Sequence, residues 1–340
     1  MNSQIVNKRK FIGYIFLFFL LIVVLFLFSI NAGYIPIPFS EVYATLTGNG
    51  TTANNLTILQ FRLPRIVIAL LVGAGISVSG AILQGVTKNP IADPGILGIN
   101  AGAGFAVVLY MFLFQGSAFF SGSLSIFIMP ITALIGAFLA AIFIYFFSMK
   151  NRSVSISRLL LVGIGINAAF NAGLIIFQMK MEPVDFTAAL VWISGSIWAA
   201  NWNYVVALCP WIFIFIPIAI YKSNYLNILN LNDSIAIGLG MKIERERRLL
   251  LSLAVVLAGA CVAVGGGITF LGLIIPQIVR KLIGSNHKRL IPLSALAGAL
   301  FLLLADTLGR VFMAPAEIPV GLIISIIGAP YFIYLLLKGK

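Results

Sequence analysis

The sequence predicts an all-α polytopic membrane protein with ten transmembrane helices. Of its 340 residues, 61% are apolar and only 9% are charged, and the apolar residues form continuous runs. An ordinary soluble domain carries about 25% charged residues, so this surface would not be stable in water. A helix needs roughly 20 apolar residues to cross the ~30 Å hydrocarbon core. A membrane barrel would instead show alternation in segments of about ten residues, so continuous runs indicate helices.

Ten apolar segments fit as spans in a single domain, residues 1–340. The first follows three basic residues at positions 8–10 and resembles a secretory signal, but its run exceeds the usual 7–15 residues, so we expect a retained helix. The uncharged stretch 249–283 is too long for one crossing, and the glycines at 265–267 allow a reversal inside it. The predicted spans are 11–28, 66–86, 96–114, 124–147, 159–177, 204–220, 249–264, 268–283, 290–305 and 320–337.

The basic residues predict the orientation, because lysine and arginine concentrate in cytoplasmic loops. With the N-terminus inside, ten crossings leave only four of the 22 lysines and arginines outside: Arg62, Arg65, Lys180 and Arg310. We therefore predict that both termini are cytoplasmic. The net charge of +13 then reflects this bias and does not indicate nucleic-acid binding.

An inverted repeat and a short outer helix are further expectations. At an offset of 186 residues, five positions between 73 and 82 match positions between 259 and 268, and the two segments would cross the membrane in opposite directions, as in many transporters. Chance similarity of small and aliphatic residues remains an alternative explanation. The segment Asp185–Trp198 is too short and polar to span, so we expect a short helix on the outer surface.

The sequence offers no internal source of energy for transport. The charged residues at membrane depth are expected to be Asp306 and Arg310, near the outer end of the ninth span, which stand four apart and can pair across one helical turn. A proton- or sodium-coupled carrier tends to use intramembrane acids. No nucleotide-binding motif occurs either, so any ATP would be hydrolysed by a separate subunit. The largest predicted cytoplasmic segment, 222–248, is where such a partner would bind; it contains a short helical pattern at 231–240.

Over essentially its full length, the chain resembles the FecCD-like permeases of type II ABC importers for ferric siderophores, haem and cobalamin. One departure is Gln277, where the family pattern usually has histidine. The matching segments are Arg62–Arg65, Gly80–Gln84, Asn89–Gly98, Ser157–Leu161, Trp192–Ser196, Gly272–Pro276, Ala305–Thr307, Glu317–Gly321 and Gly328–Pro330.

The resemblance implies a set of partners and a location. It implies a second permease subunit, identical or paralogous, two ATPase subunits and an extracytoplasmic substrate-binding protein, all assembled at the cytoplasmic membrane of a bacterium. The chain itself would contact lipid, and ATP and magnesium would be bound by the partner ATPase. It implies no metal site, cofactor or catalytic residue in this chain.

The resemblance also implies three groups of site residues. A cytoplasmic gate would be formed by Asn89, Ile91, Ile156 and Ser157. Docking of the binding protein would use Arg62, Arg65 and Arg310 at an exposed outer rim, where lipid-headgroup anchoring is the alternative role. Coupling to the ATPase would use the loop 226–242, with Leu231, Asp233, Ser234, Ile235, Ala236, Gly238, Leu239 and Gly240.

Function is therefore predicted to be import of an iron-siderophore complex. Import of haem or cobalamin by the same kind of permease is the alternative. From another class, an ion-coupled secondary carrier would need carboxylates near the bilayer midplane and no long coupling loop. An enzyme lacks candidate residues, because the lone His287 falls in a predicted cytoplasmic loop beside Lys288 and Arg289.

Overall fold

The computed structural model of the chain describes residues 2–33, 36–114, 125–150, 153–154, 156–197, 200–231, 233–313 and 316–338. These residues form a helix bundle. Eight of the described helices are long and apolar enough to cross a membrane. The all-α polytopic class predicted from sequence is confirmed.

The described residues form 14 α-helices, and each of the ten predicted spans contains part of one. They are α1 (Asn2–Asn31), α2 (Phe39–Leu46), α3 (Thr52–Asn55), α4 (Leu63–Thr87), α5 (Ile99–Phe114), α6 (Ser125–Ser148), α7 (Ile156–Gln178), α8 (Pro183–Ile193), α9 (Trp202–Leu229), α10 (Asp233–Gly238), α11 (Ile243–Gly265), α12 (Leu271–Ile283), α13 (His287–Phe312) and α14 (Val320–Lys338). A π-helical turn, Leu56–Arg62, joins α3 to α4. Two short paired strands, Met149–Lys150 and Ser153–Val154, follow α6.

Helix α4 is the centre of the bundle. The most apolar part of the helix that contains α4 is 89% buried, whereas the most apolar part of α1 is 0% buried and faces outward. Small residues allow this burial, because a Cβ on Gly80 would overlap the carbonyl of Gly272 in α12, and one on Gly73 would overlap that of Gly298 in α13. Close backbone approach through glycine is how helices associate in lipid, where packing replaces the hydrophobic effect.

Two non-helical segments enter the bundle from its opposite ends. Residues 88–98 follow α4, and residues 266–270 separate α11 from α12. They meet in the interior, where a Cβ on Gly95 would lie 2.9 Å from the Thr269 side chain. Irregular backbone at membrane depth is tolerated where it is buried in protein or lines a cavity. Where these two segments meet, the bundle therefore contains non-helical backbone between its spanning helices.

Helix α12 is shorter than its predicted span for a reason visible at these breaks. Helix α12 has only 13 residues, about 20 Å at 1.5 Å per residue, because the chain enters it inside the bundle. Gly266 has φ +69° and packs against the Trp192 carbonyl, so the chain turns there as the glycines predict. Helix α9 extends to Leu229, well beyond the predicted end of that span at 220. The predicted outer helix corresponds to α8, and Trp198 lies outside the described residues.

Candidate functional site

We name the two ends of the bundle by their residues. The arginine end holds Arg62, Arg65 and Arg310, and the loop end holds the chain between α4 and α5 and the chain between α9 and α11. Helix α4 connects them, since Arg62 precedes its first residue and Lys88 follows its last. The arginine end contains the predicted docking residues, and the loop end contains predicted gate residues and the predicted coupling residues.

At the loop end, the predicted gate residues Asn89 and Ile91 lie in one tight turn, residues 88–92, which we call the Asn89 turn. Lys88 ends α4 in the left-handed conformation, at φ +49°. The Asn89 Oδ1 atom then accepts a hydrogen bond from the Ile91 backbone N–H at 3.0 Å. Asparagine is favoured here because its side chain bonds to its own backbone two residues on. Both side chains are half-buried.

The other two predicted gate residues open helix α7. Ile156 is its first residue, and the side chain of Ser157 is exposed in its first turn. The segment that contains the Asn89 turn reaches α7 farther along that helix. Leu97 lies against Gly163, and a Cβ on Gly98 would lie 3.0 Å from the Asn167 backbone nitrogen. The chain between α4 and α5 thus packs on α7.

Two glutamines that the gate prediction did not include hold the Asn89 turn against α12. The Gln277 amide donates to the Pro90 carbonyl at 2.8 Å and to Gln84 Oε1 at 3.2 Å. The Gln84 amide donates to the carbonyls of Gly272 and Leu273 at 3.3 and 3.2 Å. The signal that could have found them is polarity, because a polar side chain inside an apolar helix needs an internal partner.

The next residues of the same segment are anchored by a buried acid. Asp93 is 1% exposed, and its Oδ1 atom accepts from the Gly95 backbone N–H at 2.8 Å. Its other oxygen lies close to Gly272, at the first turn of α12. Burial raises the pKa of the Asp93 carboxyl to about 6, against the lowering effect of backbone hydrogen bonds such as that from Gly95. Asp93 therefore acts as a second fastening between this segment and α12.

The predicted coupling residues form a short helix with an exposed apolar face. Helix α10 begins at Asp233, and Gly240 follows it at φ +77°. Ala236 is fully buried and packs the helix onto the bundle. Exposed residues of this segment are Leu231, Ser234, Ile235, Ile237, Gly238, Leu239 and Gly240.

The coupling segment touches the Asn89 turn directly. The Lys88 ammonium donates to the Leu231 carbonyl at 3.0 Å. Leu231 lies between the end of α9 and the start of α10, so a single lysine joins the two predicted sites of the loop end. Asn232, a candidate cap for α10, lies outside the described residues.

At the arginine end, two of the predicted docking residues cap the C-terminus of α1. Arg62 donates to the carbonyls of Ile30 and Asn31 at 2.7 and 3.2 Å. Arg310 donates to the Ser29 carbonyl at 3.3 Å and to the Ser29 hydroxyl at 2.5 Å. The last carbonyls of a helix lack intrahelical partners and carry partial negative charge, which arginine satisfies.

The third docking residue belongs to a buried charge network. Arg65 pairs with Asp306 at 2.9 Å and with Glu317 at 2.6 Å. Asp306 also pairs with Arg310 at 3.3 Å, which confirms the predicted pairing across one helical turn. The side chain of Asp306 is 0% exposed, whereas that of Glu317 is 34% exposed.

The exposure of these arginines differs from the expected outer rim. Arg62, Arg65 and Arg310 are only 7%, 9% and 7% exposed, because α1 and the two acids cover them. The network still carries an excess of one positive charge, since three arginines face two acids. Of the two acids in the network, Glu317 is the one in contact with solvent.

A bundle of membrane-length helices, broken inside by two meeting loops and ending in an exposed apolar helix, defines a polytopic membrane transport protein. The model of the FecCD transport family matches residues 20–338. The chain belongs to this family. It is therefore a multi-pass membrane permease, a transport subunit and not an enzyme.

Relatives of the chain include bacterial permeases. The chain is 56% identical to the iron(3+)-hydroxamate import system permease protein FhuG of Bacillus subtilis, over 95% of this chain and 96% of that protein. It is 42% identical to the iron-uptake system permease protein FeuC of the same organism, over 95% and 97%. A solved structure described as an inward-facing metal-chelate type ABC transporter matches with a TM-score of 0.82 and 31% identity, over 95% of this chain and 98% of that one.

Proposed function

We propose that this chain is the permease subunit of an ABC importer that carries a ferric hydroxamate siderophore into a bacterial cell. The assignment of the cargo rests on the 56% identity, over nearly the full length of both chains, to a permease named for iron(3+)-hydroxamate import. The neighbouring structure described as a metal-chelate type ABC transporter supports the same chemistry. The chain would work with a second permease, two ATPase subunits and an extracytoplasmic binding protein.

The loop end supports a cytoplasmic assignment in this proposal. The loop end carries Lys88 and the basic chain around α10 and α11, as the positive-inside rule requires of a cytoplasmic face. Both termini would then be cytoplasmic and the arginine end would face outward.

Helix α10 is the proposed contact with the ATPase. Three of its exposed side chains are large and apolar: Ile235 is 53% exposed, Ile237 is 64% exposed and the following Leu239 is 63% exposed. Depletion of charge and enrichment of apolar groups at a patch centre are the features of a protein interface. The ATPase would bind ATP and magnesium, so this chain would need no cofactor of its own.

The Asn89 turn, together with Ile156 and Ser157, is the proposed cytoplasmic gate. Its support is that the turn is non-helical backbone bound to α12 by Gln277 and joined by Lys88 to the segment that would contact the ATPase. A movement of α10 would reach the turn through that contact. The apolar Ile91 could seal a pathway without binding a polar cargo strongly.

The arginine end is the proposed docking site for the binding protein. The three arginines lie together, and the half-exposed Glu317 pairs with the Nη1 atom of Arg65. A carboxylate of a docking protein could take the place of Glu317, because the guanidinium fork of arginine suits a bidentate acid. Lipid-headgroup anchoring is the alternative, and the burial of the three arginines limits access by a headgroup and by a docking carboxylate alike.

Reconstituted uptake tests the cargo. The permease is co-expressed with its ATPase, reconstituted in liposomes and supplied with its binding protein and ATP. We expect uptake of ferric hydroxamate to exceed uptake of a ferric catecholate or haem by at least about tenfold at equal concentrations, since a tenfold preference needs only ~1.4 kcal/mol of discrimination. Equal or greater uptake of haem or catecholate would refute the hydroxamate assignment while leaving the ABC importer in place.

A further inference from the structure

The Gln84–Gln277 pair is a polar connection between α4 and α12. Gln84 is 3% exposed and Gln277 is 7% exposed, so both amides are shielded from solvent. Burying an amide without a hydrogen bond costs about 1–3 kcal/mol, which makes an internal partner obligatory. These two side chains satisfy one another at 3.2 Å, although they are 193 residues apart in sequence.

The pair has one bond to the Asn89 turn. Gln277 uses its second N–H on the Pro90 carbonyl at 2.8 Å, the shorter of its two hydrogen bonds. Gln84 directs its own N–H groups to the first turn of α12, at Gly272 and Leu273. The Gln84 oxygen is thereby aimed at Gln277, whose remaining N–H is left to hold the turn.

Both sides of the Asn89 turn are therefore fastened. On one side Gln277 joins Pro90 to α12, and on the other Lys88 joins the turn to the Leu231 carbonyl before α10. The lysine contact is exposed, whereas the glutamine contact is part-buried and 0.2 Å shorter, at 2.8 against 3.0 Å. The turn should therefore follow α12 when the two elements move apart.

We propose that Gln277 is a positioning residue for transport: with Gln84 it forms an amide latch that holds the Asn89 turn on α12. The inference rests on the proposed gate for its role in transport, and on the hydrogen bonds alone for its mechanics. Neither amide titrates, so the latch has the same two donors at every physiological pH. A histidine at this position, as in the family pattern, would have one N–H donor when neutral and could still bond to Pro90.

Thiol accessibility measures the latch directly. The assembled permease–ATPase complex carries Ile91→Cys as the thiol to be modified. The native cysteines are removed by Cys209→Ser and Cys261→Ala. We compare Gln277→Leu, which removes both donors at similar volume, with Gln277→His, which retains one. Gln178→Leu is the matched control, because Gln178 is also 7% exposed but lies at the end of α7, remote from the turn.

Gln277→Leu should raise the rate of modification at position 91 about tenfold, because the hydrogen bond that joins the Pro90 carbonyl to α12 is lost. Gln277→His and Gln178→Leu should stay within about twofold of the parent. Gln84→Leu should raise the rate by less than Gln277→Leu, since the bond from Gln277 to Pro90 remains, and the double variant should add little to Gln277→Leu. Should Gln277→Leu fail to assemble, Gln277→Ala removes the same bond to Pro90. An unchanged rate in the assembled latch variants would overturn the proposal.

Uptake measured on the same variants separates the latch from the gate. ATP hydrolysed per siderophore imported should rise in Gln277→Leu and return toward the parent value in Gln277→His. Faster modification with unchanged coupling would leave the latch standing and refute the gate assignment of the Asn89 turn. Unchanged modification would refute the latch, whatever the coupling ratio.

Discussion

Removal of Asp306 tests the structure of the arginine end. Its side chain is 0% exposed and receives Arg65 at 2.9 Å and Arg310 at 3.3 Å. Asp306→Ala would leave both guanidinium groups buried, with Glu317 as the remaining acid at this point. Removing one partner of a buried ion pair costs about 3–5 kcal/mol, because the other charge stays desolvated and unpaired.

This cost can be converted into a thermal shift. A large domain loses about 2–4 °C of unfolding midpoint per kcal/mol, so we expect Asp306→Ala to lower the midpoint by about 10 °C. Glu317→Ala is the control, because its side chain is 34% exposed and an exposed pair contributes about 0–1 kcal/mol. It should lower the midpoint by about 2 °C or less.

The chain supplies its own probe for this assay. Cys261 is 0% exposed, so a thiol-reactive dye should label it only when the bundle opens. The more exposed Cys209 is replaced by serine in all variants. Purified permease in one fixed detergent is heated with the dye, and the labelling midpoint is compared. Equal midpoints for Asp306→Ala and Glu317→Ala would refute the claim that Asp306 is the anchor of the network.

Three further predictions address the gate, the docking site and the core. Ile91→Asp should let the assembled transporter hydrolyse ATP without net uptake, and normal coupled uptake would remove Ile91 from the gate. Glu317→Gln should accelerate association of the binding protein severalfold at low salt by freeing Arg65; an unchanged rate in stopped-flow measurements would count against docking there. Gly80→Val should abolish accumulation of folded permease, since a side chain at Gly80 meets the Gly272 carbonyl; wild-type amounts in the membrane would contradict that packing.

Much of the architecture could be predicted because the bilayer imposes simple rules on the chain. Long apolar runs must be helical in lipid, so a helix occurs in every predicted span. Local signals also worked for α10, which stops at Gly238 with Gly240 in a positive-φ conformation. The three glycines at 265–267 marked the break between α11 and α12 for the same reason.

The exposure of the arginines could not be predicted, because their partners are remote in sequence. Arg310 bonds to Ser29 across 281 positions, and Arg65 reaches Asp306 across 241. Nothing local shows that the end of α1 lies against them. Positive-inside reasoning identified these residues as exceptions to the charge bias, but it says nothing of the helix end and the acids that they satisfy.

The short length of α12 and the latch escaped prediction for a related reason. The sequence pattern predicts one apolar span at 268–283, but the first residues of that run are not helical and lie against residues 88–98. Gln277 was noticed as a departure from the family pattern. Its bond to Pro90 depends on α12 packing against the chain between α4 and α5, which is a tertiary contact that no local pattern contains.

The most direct test of the account is whether this permease transports only when a separate ATPase drives it through α10. Liposomes containing the permease, its ATPase and the binding protein are loaded with ATP on the ATPase side, and accumulation of ferric hydroxamate is followed. The account predicts uptake that stops without ATP and is lost when Ile235→Asp and Ile237→Asp are combined, with the bundle still folded by the Cys261 assay. Uptake by the permease alone under a proton or sodium gradient would contradict it.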